Sequence, residues 1–176
     1  MKLNLKIIHP KFFTYGILFA LTITIADLLS KELIFALLDK TPGQHIRVTS
    51  FFNLVKVYNT GVSFGMFNDL QYGKIILIIV ASMITIFLLY WLSQSEDKKI
   101  ILALSLVIGG ALGNIIDRAI YGSVADFLDF HINGYHWPAF NLADSSITLG
   151  AIILIFDEFF NKKKPRPLRS GFGVPS

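Results

Sequence analysis

Four stretches of this chain are too apolar and too long to sit comfortably in water, and they constrain everything else about its fold. They run from Phe12 to Ser30, Ile75 to Ser95, Ile100 to Ile116 and Ala139 to Phe156. A bilayer's hydrocarbon core takes about 20 apolar residues in helical form. The second and third runs carry no charge, the first only Asp27 and the fourth only Asp144. Four buried helices of a water-soluble protein would need a polar covering layer. This chain is 53% hydrophobic and only 16% charged, against about 25% charged in an ordinary soluble domain. The spacing therefore predicts four membrane-spanning helices.

The distribution of Lys and Arg orients them. Lys2, Lys6 and Lys11 precede the first span, Lys98 and Lys99 join the second to the third, and Lys162, Lys163, Lys164, Arg166 and Arg169 follow the fourth. The other six basic residues, Lys31, Lys40, Arg47, Lys56, Lys74 and Arg118, are spread over longer stretches. Both termini and the short loop are expected in the cytoplasm, and the connections at about 32–74 and 117–138 outside. The first span resembles a secretory signal, but no small-residue cleavage site follows it, so it reads as a retained span. The net charge of +4 does not point to nucleic acid, because the charges lie between apolar runs and form no basic face. Cys is absent, which excludes disulfides, thiolate catalysis and Cys-ligated metal centres.

Non-helical structure is expected only in the first outer segment, about 44–68. Thr41-Pro42-Gly43 is a turn signal, and Ile46 to Tyr58 is rich in β-branched and aromatic residues, which reads as a small sheet or hairpin. Phe51, Phe52, Phe64, Met66 and Phe67 are apolar enough to dip into the membrane interface. Residues 162–176 read as a basic, disordered cytoplasmic tail. Among possible chemistries, Asp129, His131 and His136 lack a strong zinc spacing; with Phe130, Tyr135 and Trp137 they read better as an interfacial belt. Gly61-Val-Ser-Phe-Gly65 has no following Lys and is no phosphate cradle.

Ionisable groups at membrane depth are expensive and mark functional sites. Asp27, Asp117, Asp126 and Asp144 all lie at span ends on the outward side. Asp27 and Lys31 share a helix face and read as a structural ion pair. Gly109, Gly110 and Gly113 read as helix packing. For Asn114 and Arg118, packing and function stay equally open. Asp126, in an apolar turn beyond the third span, and Asp144, in the first turns of the fourth, are separated by a short return loop. Two carboxyls brought together in low dielectric share a proton, so one can act as base on water and the other as acid on a carbonyl. Spacing alone leaves this open against a helix cap and a loop residue. An ion-coupled transporter using the same carboxylates is the alternative, although it would spread them through the membrane's depth.

Five blocks in order resemble the lipoprotein signal peptidases (signal peptidase II): Asp27 to Lys31, Asn59-Thr-Gly-Val-Ser-Phe-Gly65, Gly109 to Arg118, Gly122-Ser-Val-Ala-Asp-Phe127, and Phe140-Asn-Leu-Ala-Asp144. Ser63 stands where the family usually has Ala. The resemblance extends to about Asn161 and implies a single integral-membrane peptidase domain, 1–161, in the bacterial inner membrane, with its site near the outer face. The implied fold is an all-α membrane protein of four transmembrane helices, with a small extracytoplasmic β-sheet or cradle and a short interfacial helix. The implied activity is an aspartic endopeptidase that needs no cofactor or metal. It would remove signal peptides from prolipoproteins, cutting before a diacylglyceryl-modified cysteine. Asp126 and Asp144 match the catalytic positions. Asn59, Gly61, Asn114, Arg118, Asn141, Asp27 and Lys31 match positions that support or line the pocket, and Phe64 lies in the expected flap. Implied partners are prolipoproteins, membrane lipids and the inhibitor globomycin, with no nucleic acid and a monomeric state.

Overall fold

A computed structural model describes residues 9–61 and 73–161. Four long helices carry the chain: α1 (Pro10–Asp39), α2 (Gly73–Gln94), α3 (Lys98–Tyr121) and α4 (Leu142–Asn161). Their ends follow local chemistry. Pro10 opens α1, where its missing N–H is no loss. The Asp97 side chain caps α3 by accepting from the Lys99 amide at 2.7 Å. Gly122 closes α3 in the left-handed region (φ 77°), its amide returning to the Arg118 carbonyl.

α3 is the central helix and packs against the other three. Its buried Ile101, Leu104 and Ile108 meet Ala20 of α1 and Leu88 and Leu92 of α2. The outward faces of α1 and α2 expose Leu18, Leu21, Ile25, Leu33, Ile79, Met83, Ile86 and Phe87, an apolar surface suited to lipid rather than water. α1, α2 and α3 are long and apolar enough to cross a membrane.

Four strands form one antiparallel sheet in chain order: β1 (His45–Arg47), β2 (Phe52–Asn59), β3 (Val124–Ile132) and β4 (Tyr135–His136). The expected β1–β2 hairpin is present. β3 and β4 correct the expectation that only the first outer segment is non-helical, and they place Asp126 in a strand rather than a turn. The signal was there in Asn133-Gly134, which take φ of 50° and 83° and turn β3 into β4; Asn-Gly is the dipeptide that favours such a hairpin. The fold is therefore mostly helical with a small antiparallel sheet, as the resemblance implied, the sheet having four strands rather than one hairpin. Apart from a single 3-10 turn at Pro42–Gln44, the described residues contain no short helix that would answer to the expected interfacial one. Phe64, Met66 and Phe67 lie outside the described residues.

Candidate active site

The site forms where β3, the start of α4 and the C-terminal half of α3 converge. After β4 the chain comes back beside β3: Phe140 and Leu128 exchange backbone hydrogen bonds of 2.8 and 3.1 Å. This bridge sets Asn141, next in the chain, against the buried carboxyl of Asp126. Asn141 is fully buried and donates through Nδ2 to Asp126 Oδ1 at 2.7 Å. Its Oδ1 accepts from the Asp144 amide at 2.9 Å, while its own amide donates to Asp144 Oδ2 at 3.3 Å. That reciprocal pair is a capping box at the start of α4. One asparagine thus caps a helix and touches both carboxyls that the sequence singled out.

Each carboxyl has a second amide partner. Asn59, at the end of β2, donates through Nδ2 to Asp126 Oδ2 at 3.0 Å, and its Oδ1 accepts from the Gly61 amide at 3.2 Å. The β2–β3 register sets Val57 opposite Asp126, which keeps Asn59 within reach. Asn114 of α3 donates through Nδ2 to Asp144 Oδ1 at 2.8 Å. Asp126 is 1% exposed, whereas Asp144 is only half-buried. Burial, with the nearby Asp144 charge, pushes the Asp126 carboxyl up to about 6, against the pull of its Asn59 and Asn141 hydrogen bonds. A carboxyl that holds its proton to this pH can act as an acid near neutrality.

Behind the pair lies a charge cluster that the sequence showed only in part. Lys31 of α1, 4% exposed, donates to Asp27 Oδ2 at 2.6 Å, to Asp117 Oδ2 at 2.8 Å and to Asn114 Oδ1 at 3.1 Å. The Asp27–Lys31 pair was expected; the share taken by Asp117 was not. Asp117 also accepts from the Ala125 amide at 3.3 Å, so it ties α3 to β3. Asp27 Oδ1 accepts from the Ala143 amide at 2.8 Å, which ties α1 to an open donor in the first turn of α4. The three positions share no contiguous motif, so their meeting was not legible from spacing.

Close helix contact makes this possible. A Cβ on Gly110 would strike the Ala143 carbonyl oxygen, and one on Gly113 would strike Asp27 Oδ2. The expectation that these glycines serve packing is consistent with that geometry. Arg118 donates from Nη1 to the Asn114 carbonyl at 3.3 Å and lies within electrostatic reach of Asp144, Asp126 and Asp117. Its buried Nε has no acceptor among the described residues. Asp129, by contrast, supports the β3–β4 hairpin. It accepts from Asn53 Nδ2 at 2.8 Å and faces His136 Nδ1 at 2.8 Å, while His131 stacks on His136. Burial works to raise the Asp129 carboxyl, but these hydrogen bonds outweigh it and hold the group below its ordinary range.

The sequence matches the model of the family described as signal peptidase (SPase) II over residues 19–160. A lipoprotein signal peptidase of Francisella tularensis subsp. novicida is 44% identical over 164 residues, covering 91% of this chain and 99% of the relative. One from Burkholderia multivorans is 48% identical over 120 residues, covering 66% of this chain and 71% of the relative. Among solved structures, a bacterial membrane enzyme determined by the in meso method superposes with a TM-score of 0.73 at 33% identity, covering 84% of this chain and 94% of that one.

Proposed function

The chain belongs to the signal peptidase II family, and on that premise we propose that Asp126 and Asp144 are the catalytic pair with which this peptidase removes signal peptides from prolipoproteins. The observation that carries the pair is Asn141, whose side chain and backbone hydrogen-bond both carboxyls at once. A family of this activity also disfavours the transporter alternative read from the carboxylates alone.

The chemistry needs only water and one shared proton. One carboxylate takes a proton from water as the water oxygen bonds to the scissile carbonyl carbon. The other carboxyl gives its proton to the carbonyl oxygen, forming a tetrahedral diol. One diol hydroxyl then returns a proton to the second carboxylate as the carbonyl reforms. The carbon–nitrogen bond breaks, and the first carboxyl protonates the departing amine. Asn59, Asn114 and Asn141 orient the pair, with Gly61 holding Asn59. Arg118, with a donor still unused, is suited to a substrate carbonyl. Asp27 and Lys31 fix the start of α4 beneath the pair.

On this reading the 1–161 domain is monomeric and lies in the bacterial inner membrane. α4 is its fourth span, both termini and the basic 162–176 tail are cytoplasmic, and the pair sits near the outer face. That depth suits a substrate anchored among membrane lipids by a diacylglyceryl-cysteine and cut just before it. Globomycin is expected to occupy the same site. The test is release of the signal peptide from a diacylated prolipoprotein by protein in lipid nanodiscs, with and without globomycin. Asp126→Asn and Asp144→Asn should each lower turnover at least about a hundredfold while leaving expression intact. Substantial cleavage by either variant refutes the assignment.

A further inference from the structure

Behind Lys31 and Asp117 lies a cavity of about 560 Å³ that the peptidase reading leaves unused. It opens between the C-terminal ends of α1 and α3, with β2 and β3 closing one end. Ala125 of β3 lines it, so Asp126, the next residue along the strand, is turned to the opposite face. Lys31 borders the cavity and reaches Asp144 only through Asn114. Leu28 and Leu29 of α1 form one wall, and Ile116 and Ile120 of α3 the other. Leu29 and Ile120 are 56% and 66% exposed, and Leu29 continues the apolar surface of Ile25 and Leu33. The mouth therefore opens to hydrocarbon, and an occupant enters from the bilayer.

The rest of the lining is charged, and its charges do not balance. Lys56 of β2 pairs with Asp39 of α1 and lies 5.2 Å from the centre of the Phe35 ring, so its charge is taken. The Lys31 ammonium is shared between Asp27 and Asp117. Glu32 is left over. It lines the cavity three residues along α1 from Leu29, is exposed, and has no hydrogen bond or ion pair among the described residues. A cation beside the cavity is likewise unmatched among the described residues. Lys74, at the start of α2, holds its Nζ 3.9 Å from where a Cβ on Gly122 would lie, and Gly122 joins the lining residues Tyr121 and Ser123. A free carboxylate and a free ammonium beside an apolar slot match an amphiphile whose head carries both signs. A diacylglyceryl group has the chains but no charge, and a purely anionic lipid has nothing to give Glu32.

We propose that this cavity binds a phospholipid with a primary-amine head group, of the phosphatidylethanolamine kind. The lipid ammonium donates to Glu32, the phosphate meets Lys74, and one acyl chain lies between the leucines of α1 and the isoleucines of α3. A lipid held there props the α1–α3 contact from the side away from Asp126.

The test is native mass spectrometry of the full-length chain in detergent, with dioleoyl-phosphatidylethanolamine, dioleoyl-phosphatidylcholine, dioleoyl-phosphatidylglycerol or diolein added in turn. One phosphatidylethanolamine should be held about tenfold more tightly than any of the other three, since only its head can donate hydrogen bonds from a cation to Glu32, and Glu32→Gln should remove that preference. Ile120→Trp, which fills the exposed end of the slot, should weaken retention of the same lipid. Glu96→Gln, at the opposite end of α3, should leave retention as it was. Thermal unfolding without added lipid shows that each variant folds; where Glu32→Gln does not, Ile120→Trp carries the test. Phosphatidylglycerol held as tightly as phosphatidylethanolamine makes phosphate the sole contact and overturns the proposal. Diolein held as tightly makes the cavity an unselective chain slot and overturns it too, as does unchanged retention by folded Glu32→Gln. Displacement of the lipid by soluble phosphoethanolamine makes it a head-group site without lipid and equally overturns it. No turnover enters these measurements, so they stand or fall apart from the two-aspartate reading.

Discussion

The buried carboxyl of Asp126 should make the protein's stability depend on pH in a way that one substitution abolishes. The group ionises near 3.8 in the unfolded chain and near about 6 in the fold, where burial disfavours its charge. Because the folded value is the higher one, its contribution to stability is fully present below the unfolded value and is lost as pH rises through the folded one. At about 1.36 kcal/mol per pH unit, a shift of about two units removes about 2 kcal/mol between pH 4 and pH 8. Asp126→Asn is neutral throughout. It sets an NH2 against the NH2 of Asn59, a loss of about 1 kcal/mol that does not vary with pH. The stability of the variant relative to the natural protein should therefore rise by about 2 kcal/mol on going from pH 4 to pH 8. Unfolding by SDS in mixed micelles, followed by the fluorescence of Trp91 and Trp137, measures it at both pH values. A stability gap that is the same at both, or that moves the other way, refutes the claim that burial dominates at Asp126.

Two further outcomes follow from the same geometry. Gly113→Ala drives a methyl into Oδ2 of an Asp27 carboxylate that is fixed at both oxygens, Oδ2 by Lys31 and Oδ1 by the Ala143 amide; it should destabilise by about 1–3 kcal/mol and lower turnover, and a variant with native melting and native activity would contradict the packing argument. Because two carboxyls supply both the acid and the base, millimolar chelator should leave cleavage unchanged, and inhibition reversed by added zinc would overturn that chemistry.

Some of the site was legible because it is local. Asp27 and Lys31 share a helix face, and the reciprocal bonding of Asn141 and Asp144 is a cap written in four consecutive residues. β3 was not read, because Val124–Ile132 carries two aspartates that look like loop residues until their partners are known. Asn53 lies directly opposite Asp129, and Asn59 reaches Asp126 from β2. A polar residue in a strand is disfavoured only when unpartnered, and those partners are supplied by a segment far away in the chain.

The sequence by itself determined the apolar helices, since length and hydropathy alone decide what hydrocarbon will accept, and it determined the caps and the Asn-Gly turn, whose chemistry is complete within a few residues. Only the tertiary structure decided which carboxyl stands beside which. The Phe140–Leu128 bridge carries Asn141 to Asp126, and Asp27 holds the amide of Ala143 across 116 positions of chain. Hydrogen bonds act over about 3 Å of space whatever the separation in sequence, so those pairings exist only once the helices have packed.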